Sequence, residues 1–351
     1  MTQGKRIDID SLAARLVEGD RRALARAITL VESTRADHRD AADRLLAQLL
    51  PRTGKAVRLG ISGVPGVGKS TFIEAFGLYL IEQGRRVAVL AVDPSSRRAG
   101  GSILGDKTRM EMLARAPEAF IRPSPAGRSL GGVARRTREV LLLCEAAGYD
   151  VTIVETVGVG QSETAVAEMV DLFALLLLPG GGDELQGIKK GIVELAELVI
   201  VNKADGEMRA AAGRAAAEYR SALRMLRPLM ENWKVPVLQV SSIEKRGLEA
   251  VWQAILEHRE VLGESGLAAR RAEQAKAWMW SEIEEELLAT FMAAPAVAER
   301  LQQTEAAVAA GKLTPAAAAQ DLLKRFLAAS RARSAEEPEA RAQPGQGAGL
   351  P

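Results

Sequence analysis

The chain has 351 residues, enough at roughly 150 per domain for one large domain with additions or two modest ones. Hydrophobic residues make up 47% but aromatics only 4%, and no run approaches the ~18 consecutive apolar residues of a membrane span, which excludes integral membrane placement. Lys and Arg number 47 against 45 Asp and Glu, and the net charge of +2 leaves no electrostatic footprint for nucleic acid.

From Ile9 to Leu50, the residues Leu12, Leu16, Leu24, Ile28, Val31, Leu45, Leu46 and Leu49 recur at helical spacing, with Ser11 as candidate first cap. Residues 1–54 are therefore expected to form a helical extension, punctuated at its end by Pro51 and Gly54. Apolar runs follow at Val57–Ile61, Val87–Val92, Val151–Val154, Leu172–Leu178, Leu198–Val201 and Val235–Val240, spaced widely enough for intervening helices. That alternation predicts an α/β domain over 55–262, a mainly parallel central sheet flanked by helices. Leu248–Val261 and Leu267–Met292 read as helices, the second amphipathic, and Thr314 before Pro315 announces a last helix through Leu322, Leu323 and Phe326. Residues 263–330 are expected to be a helical C-terminal extension. Residues 331–351, rich in Pro, Gly, Ala and charge, are expected to be a disordered tail.

Cys144 is the only cysteine and His38 and His258 the only histidines, which excludes a disulfide framework and a zinc site of several thiolates or imidazoles. A cytoplasmic setting is expected. The start MTQGKRIDID has neither the apolar segment nor the cleavage site of a secretory signal, so the mature protein is expected to begin there.

Gly63-Val64-Pro65-Gly66-Val67-Gly68-Lys69-Ser70 matches the phosphate-binding pattern of Gly, four residues, Gly, Lys and Ser or Thr, between an expected strand and an expected helix. This P-loop directs backbone N–H groups and a helix N-terminus at phosphate oxygens, Lys69 places a cation between the outer phosphates, and Ser70 is expected to ligate magnesium. Asn202-Lys203-Ala204-Asp205 follows a strand at the carboxyl edge of the sheet. Asp205 can accept from guanine N1–H and its exocyclic amine, a donor pair that adenine lacks, so GTP is favoured over ATP. Ser241-Ser242-Ile243 ends the next strand and can present N–H groups to guanine O6. Glu155-Thr156-Val157-Gly158 closes the strand at Val151: the acid is expected to hold magnesium and the Gly158 N–H to face the terminal phosphate. Val159 stands where a catalytic glutamine would, which predicts slow intrinsic hydrolysis. Asp93 and Asp106 are candidates to contact magnesium or orient the attacking water.

With these residues assembled, the chain closely resembles the MeaB family of GTPases, also called ArgK, to which the human methylmalonic aciduria type A protein belongs. The match is collinear over about residues 9–330. It runs through Thr29–Ser33, the phosphate loop, Asp93–Ser96, Gly100–Arg109, Phe120–Ser124, Glu155–Glu163, Leu178–Gly191, Asn202–Asp205 and Trp278–Trp280. The resemblance implies a homodimeric GTPase, its C-terminal extension used for dimerisation, that acts as chaperone to a cobalamin-dependent acyl-CoA mutase. It would gate delivery of adenosylcobalamin and protect or rescue the mutase. It further implies that Gly63 to Thr71 cradle the phosphates of GTP or GDP, that Ser70 and Glu155 hold Mg2+ with Asp93 and Asp106 nearby, and that Asn202, Lys203 and Asp205 read guanine. The Gly180 to Lys190 segment resembles a switch loop that relays nucleotide state to the partner. No Asp-x-His-x-x-Gly pattern is present, so cobalamin is expected to belong to the partner. Two other readings stand beside this one: a metallochaperone GTPase, and an ATPase or kinase linked to transport of basic amino acids.

Overall fold

The computed structural model describes residues 7–92, 110–123, 130–156, 162–180, 190–226, 229–230 and 232–336. Three helices open the chain, α1 (Ile9–Val17), α2 (Arg21–Val31) and α3 (Ala36–Leu49). The first cap is Asp8 rather than the expected Ser11: the Asp8 carboxylate accepts the Ser11 backbone N–H at 3.1 Å. An Asp three residues earlier satisfies a first-turn donor, and the helix therefore starts before Ser11.

Seven strands form one sheet: β1 (Val57–Gly63), β2 (Val87–Val92), β3 (Ala119–Arg122), β4 (Val151–Thr156), β5 (Leu172–Leu177), β6 (Leu198–Val201) and β7 (Val237–Gln239). Their order is β3-β2-β4-β1-β5-β6-β7 and all six pairings are parallel. Every residue of β1, β2, β4, β5 and β6 is buried, as a parallel sheet covered on both faces requires. The edge strand β3 is not marked by an apolar run because only Ala119, Phe120 and Ile121 are apolar before Arg122, a stretch of three residues. At the other edge the run Val235–Val240 contributes only the three residues of β7.

Nine further helices follow among the described residues: α4 (Lys69–Glu82), α5 (Glu111–Arg115), α6 (Leu130–Ala146), α7 (Ser162–Ala167), α8 (Lys190–Leu195), α9 (Met208–Leu223), α10 (Leu248–Ala293), α11 (Pro295–Ala309) and α12 (Pro315–Glu336). On one sheet face Phe72 and Phe76 of α4 and Val251 of α10 pack over Leu59 and Ile61 of β1. On the other, Ala212, Ala216 and Tyr219 of α9 pack over Leu175, Val199 and Val201. The opening helices rest on α6 and are tied to β3 by an ion pair between Glu32 and Arg122.

The chain falls into two compact units, Met1–Lys276 and Ala277–Pro351, with α10 contributing to both. Gly263 interrupts α10 with φ 63° and ψ 174°, between the two helices expected from the sequence. The helix beyond it stays with the first unit as far as Lys276, past the expected boundary at 263. Arg270 pairs with Glu197, Arg271 with Asp171, and Gln274 donates to the Val170 carbonyl at 2.8 Å. In the second unit Ala294, Val297 and Leu322 are buried and Phe291 meets Phe326 edge-on at 5.5 Å. The Thr314 hydroxyl accepts the Ala317 N–H at 3.3 Å, capping α12 as its sequence suggests. Helical backbone continues through Glu336, six residues beyond Ser330, where the tail was expected to begin. Ala, Arg and Glu there favour helix, and Pro338 is the first strong stop.

Candidate functional site

The chain runs from β1 to β2 and β3 on one side, returns to β4, and then builds β5, β6 and β7 on the other. Ligands of such sheets bind outside the carboxyl ends of the strands where the winding reverses, which here is the end of β1. Gly63, the last residue of β1, has φ 153°, and a Cβ there would lie 2.5 Å from the Leu176 carbonyl oxygen. Gly68, just before α4, is left-handed at φ 89°, and a Cβ there would lie 2.9 Å from Asn202 Nδ2. Both positions thus exclude a side chain, one by crowding from β5 and the other by strain and crowding together. Among the described residues no side chain caps α4, so its first-turn N–H groups and the positive end of the helix dipole face the crevice.

Lys69 begins α4 and folds its ammonium back over the loop, donating to the Gly63 carbonyl at 2.6 Å and the Val64 carbonyl at 3.4 Å. Burial pulls its pKa down, while the charges of Glu155 and Glu163 pull it up. Glu155 lies on β4 beside Ile61 of β1 and Ala91 of β2 and is buried. Next to it, the Thr156 hydroxyl donates to Ser62 Oγ at 2.8 Å, tying the end of β4 to the end of β1 just before the loop.

The Asn-Lys-x-Asp segment is bonded directly to this loop. Asn202 Nδ2 donates to the Val67 carbonyl at 2.9 Å, and Lys203 Nζ donates to the Gly66 carbonyl at 2.8 Å. Ser242 Oγ donates to Asn202 Oδ1 at 2.8 Å, fixing which way the buried amide points. Ser241 Oγ donates to Asp205 Oδ2 at 2.6 Å and accepts the Glu244 N–H at 3.0 Å. A carboxylate oxygen offers two lone-pair sites, so Asp205 held this way can still accept a pair of donors in its own plane. Ile243 sits exposed at the tip of the turn closed by the Ser241 and Arg246 bridge.

Gly63 through Thr71, Asn202, Lys203, Asp205 and Ser241–Ile243 thus converge on one edge of the sheet, together with Glu155. Asp93, Asp106 and Gly158 lie outside the described residues, as do residues 181–189 of the expected switch loop. Three contributors were not singled out beforehand. Glu163 of α7 is buried and acts on Lys69, Ser62 orients Thr156, and the Arg246 guanidinium donates to the Ala204 carbonyl. Glu163 stood inside a motif already noted, whereas nothing local marks a serine in a strand or an arginine 42 residues from its acceptor.

The residues a soft metal would need are engaged elsewhere. Cys144 is buried in α6 and burial, reinforced by Glu145, raises its thiol pKa strongly, which leaves it an inert thiol. His38 Nδ1 shares a hydrogen bond with Ser33 Oγ at 2.8 Å, and the buried His258 meets Glu197 at 3.3 Å and the Trp233 ring edge-on.

A family model described as methylmalonyl-CoA mutase-associated GTPase MeaB matches residues 24–296. A Caulobacter vibrioides protein with a provisional GTPase name is 61% identical over 321 residues, 91% of this chain and 98% of that protein. The mouse protein named methylmalonic aciduria type A homolog, mitochondrial, is 50% identical over 329 residues, 91% of this chain and 79% of that protein. A crystal structure described as LAO/AO transport system kinase superposes with a TM-score of 0.73 at 42% identity, covering 92% of this chain and 99% of that one. With the glycine loop, its lysine and the Asn-Lys-x-Asp segment joined at one sheet edge, the chain belongs to the MeaB family of P-loop GTPases.

Proposed function

We propose that the protein is a GTP-hydrolysing chaperone of a cobalamin-dependent acyl-CoA mutase, gating adenosylcobalamin delivery and protecting or reactivating the mutase. The family description and the mouse relative's name support that client class. The observation that supports the nucleotide half is the pair of hydrogen bonds from Asn202 and Lys203 onto the phosphate loop, which ties the segment assigned to guanine to the loop assigned to the phosphates.

In this reading the N–H groups from Gly66 to Thr71 and the Lys69 ammonium hold the phosphates. The ammonium starts beside the loop carbonyls it already touches, so charge is placed without a large movement. Asp205, aligned by Ser241, accepts from guanine, and Ser242 and Ile243 offer N–H groups to its O6. The Ser70 hydroxyl and the buried Glu155 carboxylate are hard oxygen donors, a set that fits Mg2+; Asp93 and Asp106 are assigned to the same ion from the sequence. When bound, the ion would neutralise charge on the outer phosphates during transfer. Glu155, and after it Glu163, oppose the effect of burial on the Lys69 ammonium, and the Gly158 N–H is assigned to the terminal phosphate. Because Val159 follows Gly158, turnover stays slow until the mutase completes the site, with the Gly180 to Lys190 segment as relay.

The second unit supports a homodimer through Met279, Ile283, Leu287, Leu288 and Met292, an exposed apolar stripe at helical spacing along α10. Among the described residues no helix is long and apolar enough to cross a membrane, and a cytoplasmic location suits the single buried thiol.

Calorimetry with Mg2+ and gel filtration against a panel of such mutases test the proposal. Expected are GTP and GDP binding at least 100-fold tighter than ATP and a co-eluting complex with one mutase. Equal ATP affinity contradicts the guanine assignment, and no complex in either nucleotide state contradicts the client.

A further inference from the structure

At the N-terminal ends of β6 and β7, away from the nucleotide edge, lies a cavity of about 590 Å3, within the range of small-molecule sites. Leu223, Leu226 and Trp233 supply apolar walls, while Arg220, Arg224 and Lys234 bring three cations against one acid, Glu194. Arg220 donates to the Val237 carbonyl at 3.2 Å. Among the described residues Arg224 and Lys234 have no carboxylate or carbonyl acceptor, and both are exposed. Glu194 offsets part of the repulsion among these cations and leaves the cavity rim with an excess of positive charge, while Glu257 and Glu260 lie along the adjoining groove that Lys234 also lines.

The wall is fixed in place. The Trp233 indole N–H donates to the Glu197 carbonyl at 2.7 Å, and the ring stands edge-on to His258 at 4.9 Å. A preformed apolar wall lowers the ordering cost of an incoming ligand. The cavity is separate from the guanine motif: α9 begins three residues after Asp205 and reaches the cavity only with its last turn, some ~24 Å along the helix.

We infer that this cavity binds a small amphipathic anion, a molecule with an apolar chain or ring ended by a carboxylate, sulfonate or phosphate. The apolar body packs on Leu223, Leu226 and Trp233, and the anionic end pairs with Arg224 and Lys234 at the rim. The inference does not rest on the chaperone reading.

Octanoate is the probe, with octanol and octyltrimethylammonium as neutral and cationic controls, titrated by calorimetry into the full-length protein. One equivalent of octanoate is expected to bind at least tenfold more tightly than either control. The double variant Arg224→Glu/Lys234→Glu changes only exposed side chains. It should lose at least tenfold in octanoate affinity while GTP turnover and the circular dichroism spectrum stay unchanged. Leu223→Trp, which fills the cavity, should lose binding as well. Octanoate binding no better than the cation, or binding retained in either variant, overturns the inference.

Discussion

Asn202 and Val67 are 135 residues apart in sequence, yet the side-chain amide of one donates to the main-chain carbonyl of the other at 2.9 Å. The bond sits between the two loops that a nucleotide would touch. Ser242 holds the far side of the same amide, so the base-reading segment is referenced to the phosphate loop and not merely adjacent to it.

This arrangement makes the aspartate at its end separable from the phosphate contacts. Asp205→Ala is expected to weaken GTP by about 2 kcal/mol or more through lost charge-assisted bonds, leaving inorganic triphosphate affinity unchanged. Asp205→Asn is expected to prefer XTP, whose exocyclic oxygen accepts where guanine donates. Calorimetry with the three ligands checks both, and an unchanged GTP affinity for Asp205→Ala removes the residue from the site.

A pH effect on stability is expected from Glu139. Its carboxyl, largely buried on α6, is pushed up from 4.5 to about 7 by burial; Asp43 adds to the rise, while Arg39, Arg136 and Arg138 oppose it. The folded state therefore holds a proton that the unfolded chain has released, so this contribution is full below pH 4.5, falls between 4.5 and 7, and is gone above 7. Glu139→Gln should flatten that slope, although it also breaks the ion pair that Glu139 makes with Arg135 at 3.2 Å. Urea titrations at pH 5 and pH 8 check this, and identical slopes in variant and parent contradict it.

Arg271 binds both oxygens of Asp171 at 2.8 and 2.6 Å and donates to the carbonyls of Gly54 at 2.5 Å and Ala56 at 2.7 Å. Arg271→Ala leaves Asp171, which is only 6% exposed, without that partner, a loss of about 3–5 kcal/mol. Thermal unfolding of the variant should show a clearly lower transition, and a change of less than a degree would mean that water replaces the guanidinium at no cost.

The apolar stripe of the second unit gives a prediction of assembly. Leu287→Glu/Leu288→Glu alters two residues that are about 60% exposed, so the fold should survive. Light scattering should report a dimer for the parent and a monomer for the variant; a monomeric parent at micromolar concentration removes the proposed dimer.

What could be read beforehand followed from locality. The runs of β1, β2, β4, β5 and β6 mark strands because burial on both faces favours apolar residues throughout, with Arg58 of β1 and Thr152 of β4 as buried polar exceptions inside them. The phosphate loop and the Asn-Lys-x-Asp segment were legible because their chemistry demands fixed residue types at fixed spacing. The short edge strand β3, with Arg122 at its end, carries no such run. The Arg58–Glu145 ion pair spans 87 residues, and the Glu197, His258 and Arg270 cluster spans 73. Local periodicity treats each of these charges as a solvated residue. The Ser241 to Asp205 bond was invisible for the same reason: the sequence places the two on neighbouring loops but does not aim the hydroxyl.

We propose that the nucleotide site is slow alone and is completed by a mutase. GTP turnover by the purified protein, alone and with each of several cobalamin-dependent acyl-CoA mutases added in turn, tests it most directly. Acceleration of roughly tenfold or more by one of them is expected, a barrier change of about 1.4 kcal/mol. Tight GTP binding with no acceleration by any mutase would contradict it.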